Sequence, residues 1–242
     1  MLVITAMSFS AGLIYIGVGF LLNMRSNKEQ RAFDILNLPG YNIGLFGLPL
    51  VQSFVGPVGV ATASLFDVGN SVICLGGAFG IASSVKEGSG FSFKRIGKAI
   101  VSSVPLMTYI ICVTMNLAGL KFPAVVISFA DVIRGANTFL AMLMIGIGIK
   151  LESNKERTWQ IARLLIVRYG IAAILAAVFY FVLPFALEVR QTMVLLAFTP
   201  ISVAIPPFTA ELKGDVGLSS SYSSATIICS MIIMTVLMAV VL

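Results

Sequence analysis

One membrane-length apolar segment near the start of the chain contains its own helix breakers. The segment from Asn37 to Gly59 reads NLPGYNIGLFGLPLVQSFVGPVG, with Pro39, Gly40 and Pro49 inside it. Proline removes a backbone N–H donor and clashes with the preceding turn, so a helix built from this segment breaks or kinks near Pro39 to Pro49. Backbone groups freed in hydrocarbon are costly, so such a break needs polar partners from the protein or from a water-filled cavity.

A second interrupted segment follows at a shift of 158 positions, and it reads PISVAIPPFTAELKGDVGL. At this shift Ile43, Pro49, Gly56, Val58 and Gly59 match Ile201, Pro207, Gly214, Val216 and Gly217, and Pro200 and Pro206 add further breakers. Two Pro/Gly-interrupted spans at corresponding positions are typical of a transporter repeat whose site lies where the breaks meet. The alternative is that Gly and Pro are common in membrane helices and the matches arose by chance.

Composition assigns the chain to the membrane. Of its 242 residues, 58% are hydrophobic and only 11% are charged, which exceeds the apolar content of soluble proteins. At about 20 apolar residues per span, we predict an all-α polytopic membrane protein with eight transmembrane helices. These are Leu2 to Asn23, Ala32 to Phe54, Val58 to Val85, Ile96 to Leu120, Phe122 to Leu151, Trp159 to Leu183, Gln191 to Ala210 and Leu218 to Leu242.

The basic residues indicate an orientation. They concentrate in alternate loops, at 25–31, 86–98, 150–163 and Lys213, whereas the other loops carry only Lys121 and Arg190. The basic loops are therefore expected on the cytoplasmic side of a cytoplasmic membrane, with both termini outside. Because this pattern and lipid contact account for the net charge of +6, we expect no nucleic-acid partner.

Several kinds of chemistry are excluded by residue type. The chain has no histidine, which excludes Ser-His-Asp and Cys-His catalysis and the HExxH zinc site. Cys74, Cys112 and Cys229 lie in apolar runs with neither disulfide nor metal spacing, and we expect them to be buried packing residues. We therefore predict no enzyme activity, no cofactor and no metal.

Three polar residues near the first break are candidates for function. Asn42 lies at the break, where its amide suits a carboxylate or a coupling ion, or alternatively caps the following helix. Asp67 lies mid-span, where a charge costs about 2.5 to 3.5 kcal/mol on insertion scales, and Asn70 is one turn further on. The alternative for Asp67 is a structural ion pair with Arg134 or Arg168.

Other polar and small residues favour structural explanations. Arg168 lies about nine residues into its span, and we expect it to snorkel or to meet an acidic partner. Gly12, Gly17 and Gly19 in the first span are expected to permit close helix approach.

The segments GYNIGLFGLPLVQSFVG, GVATASLFDVGN, ANTFLAMLMIGIGIKL and LLAFTPISVAIPPFTAELKGDVG resemble the auxin efflux carrier family of transporters, which includes bacterial malate and malonate permeases and plant PIN carriers. The resemblance covers nearly the whole chain and is most specific at the two interrupted segments. It implies an inverted repeat of five plus five helices, in which the fourth and ninth helices break at prolines and cross. It places Asn42, Pro39, Pro49, Pro200 and Pro207 at the substrate site. Asp67, Asn70 and Asn137 are then candidates for supporting that site or coupling a cation.

The chain departs from this pattern in length, because it resembles helices three to ten and lacks the first pair. We divide it into a partial first repeat, 1–85, with its broken helix at 32–54, a cytoplasmic linker, 86–98, and a second repeat, 99–242, with its broken helix at 191–210. Either the chain is a short or truncated gene product, or another subunit fills the gap.

The resemblance implies a secondary carrier that moves a small organic anion, such as a dicarboxylate or an auxin-like acid, by alternating access. Helix N-termini at the breaks, each worth about +0.5 of a charge, would meet the carboxylate. The expected partners are this substrate and the lipid bilayer, and a homodimer is left open. The alternatives are a sodium-coupled carrier of the bile-acid type and a non-transporting fragment or channel-like subunit.

Overall fold

The computed structural model describes residues 2–22, 24, 27–88, 97, 101, 104–148 and 155–241, and within these ranges it contains helices and no strand. The helices are α1 (Leu2–Leu22), α2 (Lys28–Asn37), α3 (Ile43–Phe54), α4 (Pro57–Glu87), α5 (Val104–Leu117), α6 (Ala124–Gly148), α7 (Lys155–Phe181), α8 (Leu187–Ala197), α9 (Ile205–Glu211) and α10 (Val216–Val241).

Four of these helices, α1, α4, α7 and α10, are long and apolar enough to cross a membrane. Large apolar side chains point outward from them and from α6, including Leu2 at 86%, Phe181 at 80% and Val125 at 80% exposure. Such surfaces are compatible with lipid rather than with water. The chain is therefore a multi-pass membrane protein, as the composition predicts, whereas the full number of eight spans stays a prediction.

Between the long helices lie two interrupted helices, one formed by α2 and α3 and the other by α8 and α9. Residues 38–42 separate α2 from α3, and residues 198–204 separate α8 from α9. Gly40 adopts a φ of +88°, a conformation that side-chain-bearing residues rarely take, so the chain turns at the Pro39–Gly40 pair. We call residues 38–42 and 198–204 together the crossover. The order of long helix, interrupted helix and long helix thus occurs twice, in α1–α4 and in α7–α10.

Helix α3 continues through Pro49, which therefore is not the point of interruption. Residues Ile43–Gly47 form a wider π-helical turn, in which the Gly47 N–H donates to the Asn42 carbonyl at 3.0 Å, five residues back. A π turn shifts the hydrogen-bond pattern by one residue, so a proline that lacks an N–H can follow it without breaking the helix.

Helices α1 and α4 pack with their backbones almost in contact. A Cβ atom placed on Gly69 would lie 2.2 Å from the Thr5 carbonyl oxygen, and the Thr5 hydroxyl donates to the Leu65 carbonyl at 2.9 Å. The expected close approach also holds at Gly12 and Gly19, where an added Cβ would lie 2.7 and 3.1 Å from neighbouring atoms. Small residues allow this contact because they remove the side chain from the helix interface. At Gly17 the expectation was wrong, since no atom of the described residues lies within 4 Å of an added Cβ.

A row of aromatic rings runs from α1 through the first interruption and α4 to α7. Tyr15 meets Tyr41, Tyr41 meets Phe66, and Phe66 meets Phe179, at ring-centroid distances of 6.0, 5.4 and 6.2 Å in edge-to-face geometry. All four side chains are buried. Because Tyr41 belongs to the first interruption, this row anchors the crossover in the centre of the bundle.

The cysteines only partly match the expectation of buried packing. Cys74 is buried, Cys229 is half-buried and Cys112 is exposed. The prediction was wrong for Cys112 because an apolar run in a membrane helix has a lipid-facing side as well as a packed one.

Ion pairs join helices near the basic loops. The carboxylate of Asp34, which is fully buried, pairs with Arg163 and accepts a hydrogen bond from Gln30 at 2.9 Å. A second pair, Arg157 with Asp215 at 3.0 Å, has both side chains about two-fifths exposed, at 40% and 42%. The first pair ties α2 to α7 through a buried carboxylate and an arginine that is 34% exposed, and the second pair lies at the surface.

Candidate functional site

The two interruptions touch each other directly. The Asn42 N–H donates to the Pro200 carbonyl at 2.9 Å. Positions 42 and 200 correspond under the 158-residue shift, so the contact joins equivalent points of the two halves. The reciprocal bond cannot form, because proline has no N–H. Within the crossover, the two interruptions are therefore joined by one backbone hydrogen bond. The other backbone N–H and carbonyl groups that the interruptions leave unpaired need side-chain partners.

Asn70 supplies two of those partners to the first interruption. Its Oδ1 accepts from the Tyr41 N–H at 2.8 Å, and its Nδ2 donates to the Tyr41 carbonyl at 2.8 Å and to Asp67 at 3.0 Å. The side chain is 4% exposed. Asn70 thus replaces both helical hydrogen bonds that Tyr41 loses at the break.

Arg168 supplies donors to both interruptions at once. Its Nη1 donates to the Leu38 carbonyl at 2.6 Å, and its Nη2 donates to the carbonyls of Gly40 and Thr199 at 3.0 and 2.9 Å. The residue is 1% exposed. Neither expectation for Arg168 holds, because the guanidinium turns to carbonyl oxygens that the breaks leave free, instead of snorkelling or meeting an acid.

Polar side chains also join the ends of the interrupted helices to α10. Nδ2 of Asn37 donates to the Thr209 hydroxyl at 3.3 Å, and the Ser219 hydroxyl donates to Asn37 Oδ1 at 2.6 Å. The Thr209 hydroxyl donates to the Ser219 hydroxyl at 3.2 Å. The Thr226 hydroxyl accepts from the Ile201 N–H at 3.3 Å, in the second interruption. These contacts link α2, α9 and α10 through buried hydroxyl and amide groups.

A cleft of about 240 Å³ opens beside the crossover. It is bordered by the first turn of α3, the middle of α4 and residues 202–204. Asn42, Asp67 and Asn70 all line it, so the structure brings these three predicted residues together. Its walls also carry Tyr41, Ser71 and Ser202 among apolar neighbours.

Asn42 has one satisfied and one unsatisfied end. Its Oδ1 accepts from the Leu45 N–H at 3.3 Å and so caps α3, which is the structural role considered above. Its Nδ2, buried with the rest of the 4%-exposed side chain, has no hydrogen-bond partner among the described residues. A buried amide donor of this kind at the wall of a cleft is suited to a ligand acceptor.

The two helix N-termini at the cleft differ in what they offer. At α3 the residues Ile43 and Gly44, whose N–H groups lack partners within their own helix, line the cleft. At α9, Pro206 and Pro207 have no N–H, and the Ile205 N–H already donates to the Ser202 carbonyl at 3.1 Å. Only α3 therefore offers backbone donors, although two N-termini were expected to do so.

The chain matches no protein-family model and no curated protein. Its function is therefore inferred from the geometry of the crossover and its cleft.

The remaining predicted site residues lie elsewhere or outside the described part. Pro39, Pro49, Pro200 and Pro207 do not line the cleft and act on the backbone instead: Pro39, Pro49 and Pro200 are buried, and Pro207 is exposed. Asn137 belongs to α6, but its side chain lies outside the described residues.

Asp67 borders the cleft and accepts from Asn70. Its proposed ion pair with Arg168 is not formed, since Arg168 is bonded to carbonyls, while the side chain of Arg134 lies outside the described residues. Among the described residues, no group of three or more Cys, Asp or Glu is placed to hold a metal ion.

Sequence reasoning missed the way Arg168 is used. The available signal was its position, because an arginine inside an apolar span is a functional candidate by default. Thr199, Thr226 and Thr209 carried no comparable signal, since threonine in a membrane helix commonly bonds its own helix.

Proposed function

We propose that the chain is a secondary membrane transporter whose cleft binds a small organic anion through one carboxylate. The observation that carries the proposal is the Nδ2 of Asn42, a buried donor without a partner among the described residues, at a cleft formed where two interrupted helices meet. Interrupted helices that meet near the middle of a bundle are the usual setting of a carrier site.

The proposed architecture is an inverted repeat of the auxin efflux carrier type. The units α1–α4 and α7–α10 share one order of elements, and each would cross the membrane three times, with α5 and α6 between them. Five crossings separate the start of one unit from the start of the other, so the two units would run in opposite directions. The basic loops would then face the cytoplasm of a cytoplasmic membrane.

The cleft favours a ligand with one ionised carboxylate. Nδ2 of Asn42 and the first N–H groups of α3 would donate to that carboxylate, near the positive end of the α3 dipole.

Transport itself would consist of alternating access to this cleft. Arg168 of α7 and Asn70 of α4 hold α2, α3 and α8 together at the crossover, so these helices would move with α4 and α7 as one body. The movement would occur between this body and the other helices, with the ligand carried at the crossover.

The test is uptake of radiolabelled malate, malonate and indole-3-acetate into proteoliposomes that contain Asn42→Asp. This variant keeps an oxygen to cap the Leu45 N–H but removes the Nδ2 donor and adds a negative charge. The matched control is Gln52→Glu, which makes the same chemical change on the exposed side of α3.

Because a hydrogen bond to a charged group is worth about 1.5–3 kcal/mol, uptake by Asn42→Asp should fall at least about tenfold. The control should keep wild-type uptake at equal expression. Wild-type flux in Asn42→Asp would restrict Asn42 to capping and remove the proposed site. Saturable binding without flux in the wild type would instead favour a non-transporting subunit.

A further inference from the structure

A buried guanidinium occupies the point where the carbonyl ends of both interrupted helices converge. Leu38 and Gly40 follow α2, and Thr199 follows α8, and the carbonyls of all three accept hydrogen bonds from Arg168 at 2.6 to 3.0 Å. Arg168 belongs to neither interrupted helix, because it lies in the middle of α7. One side chain thus gathers the free carbonyls of two separate breaks.

The surroundings fix this side chain in place. The guanidinium carbon lies 5.6 Å from the ring centre of Tyr15 and 5.5 Å from that of Tyr41, and the residue is 1% exposed. The Tyr15 hydroxyl also donates to the backbone carbonyl of Arg168 at 3.0 Å. Aromatic faces stabilise a cation, and packing on two sides leaves it little freedom to leave the crossover.

The charge at this point is already balanced. A helix C-terminus carries about half a negative charge, so the two converging ends together carry about one. The single positive charge of Arg168 matches that sum. A further monovalent cation here would meet a neutralised site, and the three carbonyls that would coordinate it already accept from Arg168.

In carriers with interrupted helices, unwound carbonyls and half-helix C-termini are the groups that coordinate a coupling cation. We infer that Arg168 takes the place of such a cation as a permanent part of the chain, and that it positions both interruptions so that the site operates without Na⁺ or K⁺. Arg168 is thus a positioning residue, which acts on the cleft through the backbone of the crossover. The transport consequence rests on the proposed function, whereas the cation site itself does not.

The first experiment needs no substrate and no variant of Arg168. Thermal unfolding of the purified protein is followed with a thiol-reactive fluorophore in a Cys112→Ser, Cys229→Ser background, so that the signal reports the buried Cys74 near the crossover. The midpoint temperature of unfolding is compared in NaCl, KCl and choline chloride at equal ionic strength. We expect the same midpoint in all three salts. A saturable rise specific to Na⁺ or K⁺ would overturn the inference, because it would reveal an exchangeable cation site.

The second experiment removes the cation and returns it as a small molecule. Arg168→Ala should lower the unfolding midpoint, and methylguanidinium chloride should raise it again, whereas equal NaCl should not. The matched control is Arg157→Ala, which removes a half-exposed arginine from the same helix and should show no response to methylguanidinium. An Arg168→Ala protein as stable as Arg157→Ala, with no response to methylguanidinium, would contradict the inference.

The third experiment carries the inference to transport. Wild-type uptake of the labelled acids should be equal in sodium and in choline medium, and the uptake lost in Arg168→Ala should be partly restored by methylguanidinium. Uptake that collapses without sodium would overturn the inference. If no acid is taken up under any condition, the proposed function fails, and the salt dependence of unfolding still decides the role of Arg168.

Discussion

Replacement of Asn70 by alanine tests whether side chains replace the helical hydrogen bonds lost at the first interruption. The change removes the acceptor for the Tyr41 N–H and the donor for the Tyr41 carbonyl, both at 2.8 Å. Each buried backbone group left without a partner costs about 1–3 kcal/mol, which gives about 2–6 kcal/mol for the pair. Hydrogen bonds between membrane helices have measured values nearer about 0.6, with a maximum of about 1.7 kcal/mol, which lowers the estimate.

We expect a loss of about 3 kcal/mol, where the range for two unpaired backbone groups overlaps the range for two hydrogen bonds between membrane helices. Tyr41 lies in an unwound segment beside a row of packed rings, so its N–H and carbonyl have few alternative partners. At about 2–4 °C per kcal/mol for a chain of this size, the midpoint of thermal unfolding should fall by about 6–12 °C.

The assay is thermal unfolding in detergent, with Ser84→Ala as the control. Ser84 is also buried on α4, but its hydroxyl bonds only the Gly80 carbonyl of its own helix, at 2.9 Å. Its loss leaves no backbone group without a partner, so a change of about 0.5 kcal/mol or less is expected. An Asn70→Ala protein no less stable than Ser84→Ala would show that the Tyr41 N–H and carbonyl do not depend on Asn70 for their hydrogen bonds.

Two further predictions concern helix packing and ion pairs. Gly69→Leu should destabilise the bundle by more than about 3 kcal/mol, or prevent its assembly, because the new Cβ would lie 2.2 Å from the Thr5 carbonyl oxygen. Normal yield and an unchanged unfolding midpoint of the purified variant would contradict the α1–α4 packing. Asp34→Asn, which breaks a pair whose carboxylate is fully buried, should cost about 2–4 kcal/mol, whereas Asp215→Asn at the surface should cost less than about 1 kcal/mol. The two are compared by denaturant unfolding at low and high salt, and equal losses for both variants would show that burial does not set the strength of the Asp34–Arg163 pair.

The sequence determined the class of structure because composition and breaker placement act locally. A content of 58% hydrophobic and 11% charged residues is typical of a membrane protein, so the membrane class followed from composition. The place of the first interruption also follows from local chemistry, because the turn at Pro39–Gly40 needs a residue that tolerates a φ of +88°. A break at Pro49 was expected from the sequence but does not occur, because the π turn at Ile43–Gly47 lets the helix continue through this proline.

Only the tertiary structure decided which side chains form hydrogen bonds with the backbone groups left unpaired at the two interruptions. Arg168 lies 128 and 130 positions from two of the carbonyls that it binds, and Asn70 lies 29 positions from Tyr41. No local pattern encodes such distances, so an arginine in an apolar span could be recognised as unusual but not assigned its partners. For Asn42 two roles were open from the sequence alone. The structure shows its oxygen capping α3 and its nitrogen unpartnered in a residue that lines a cleft between two distant segments. The physical reason is the same in each case: a break leaves backbone groups that must be satisfied, and packing between distant helices selects the side chain that reaches them.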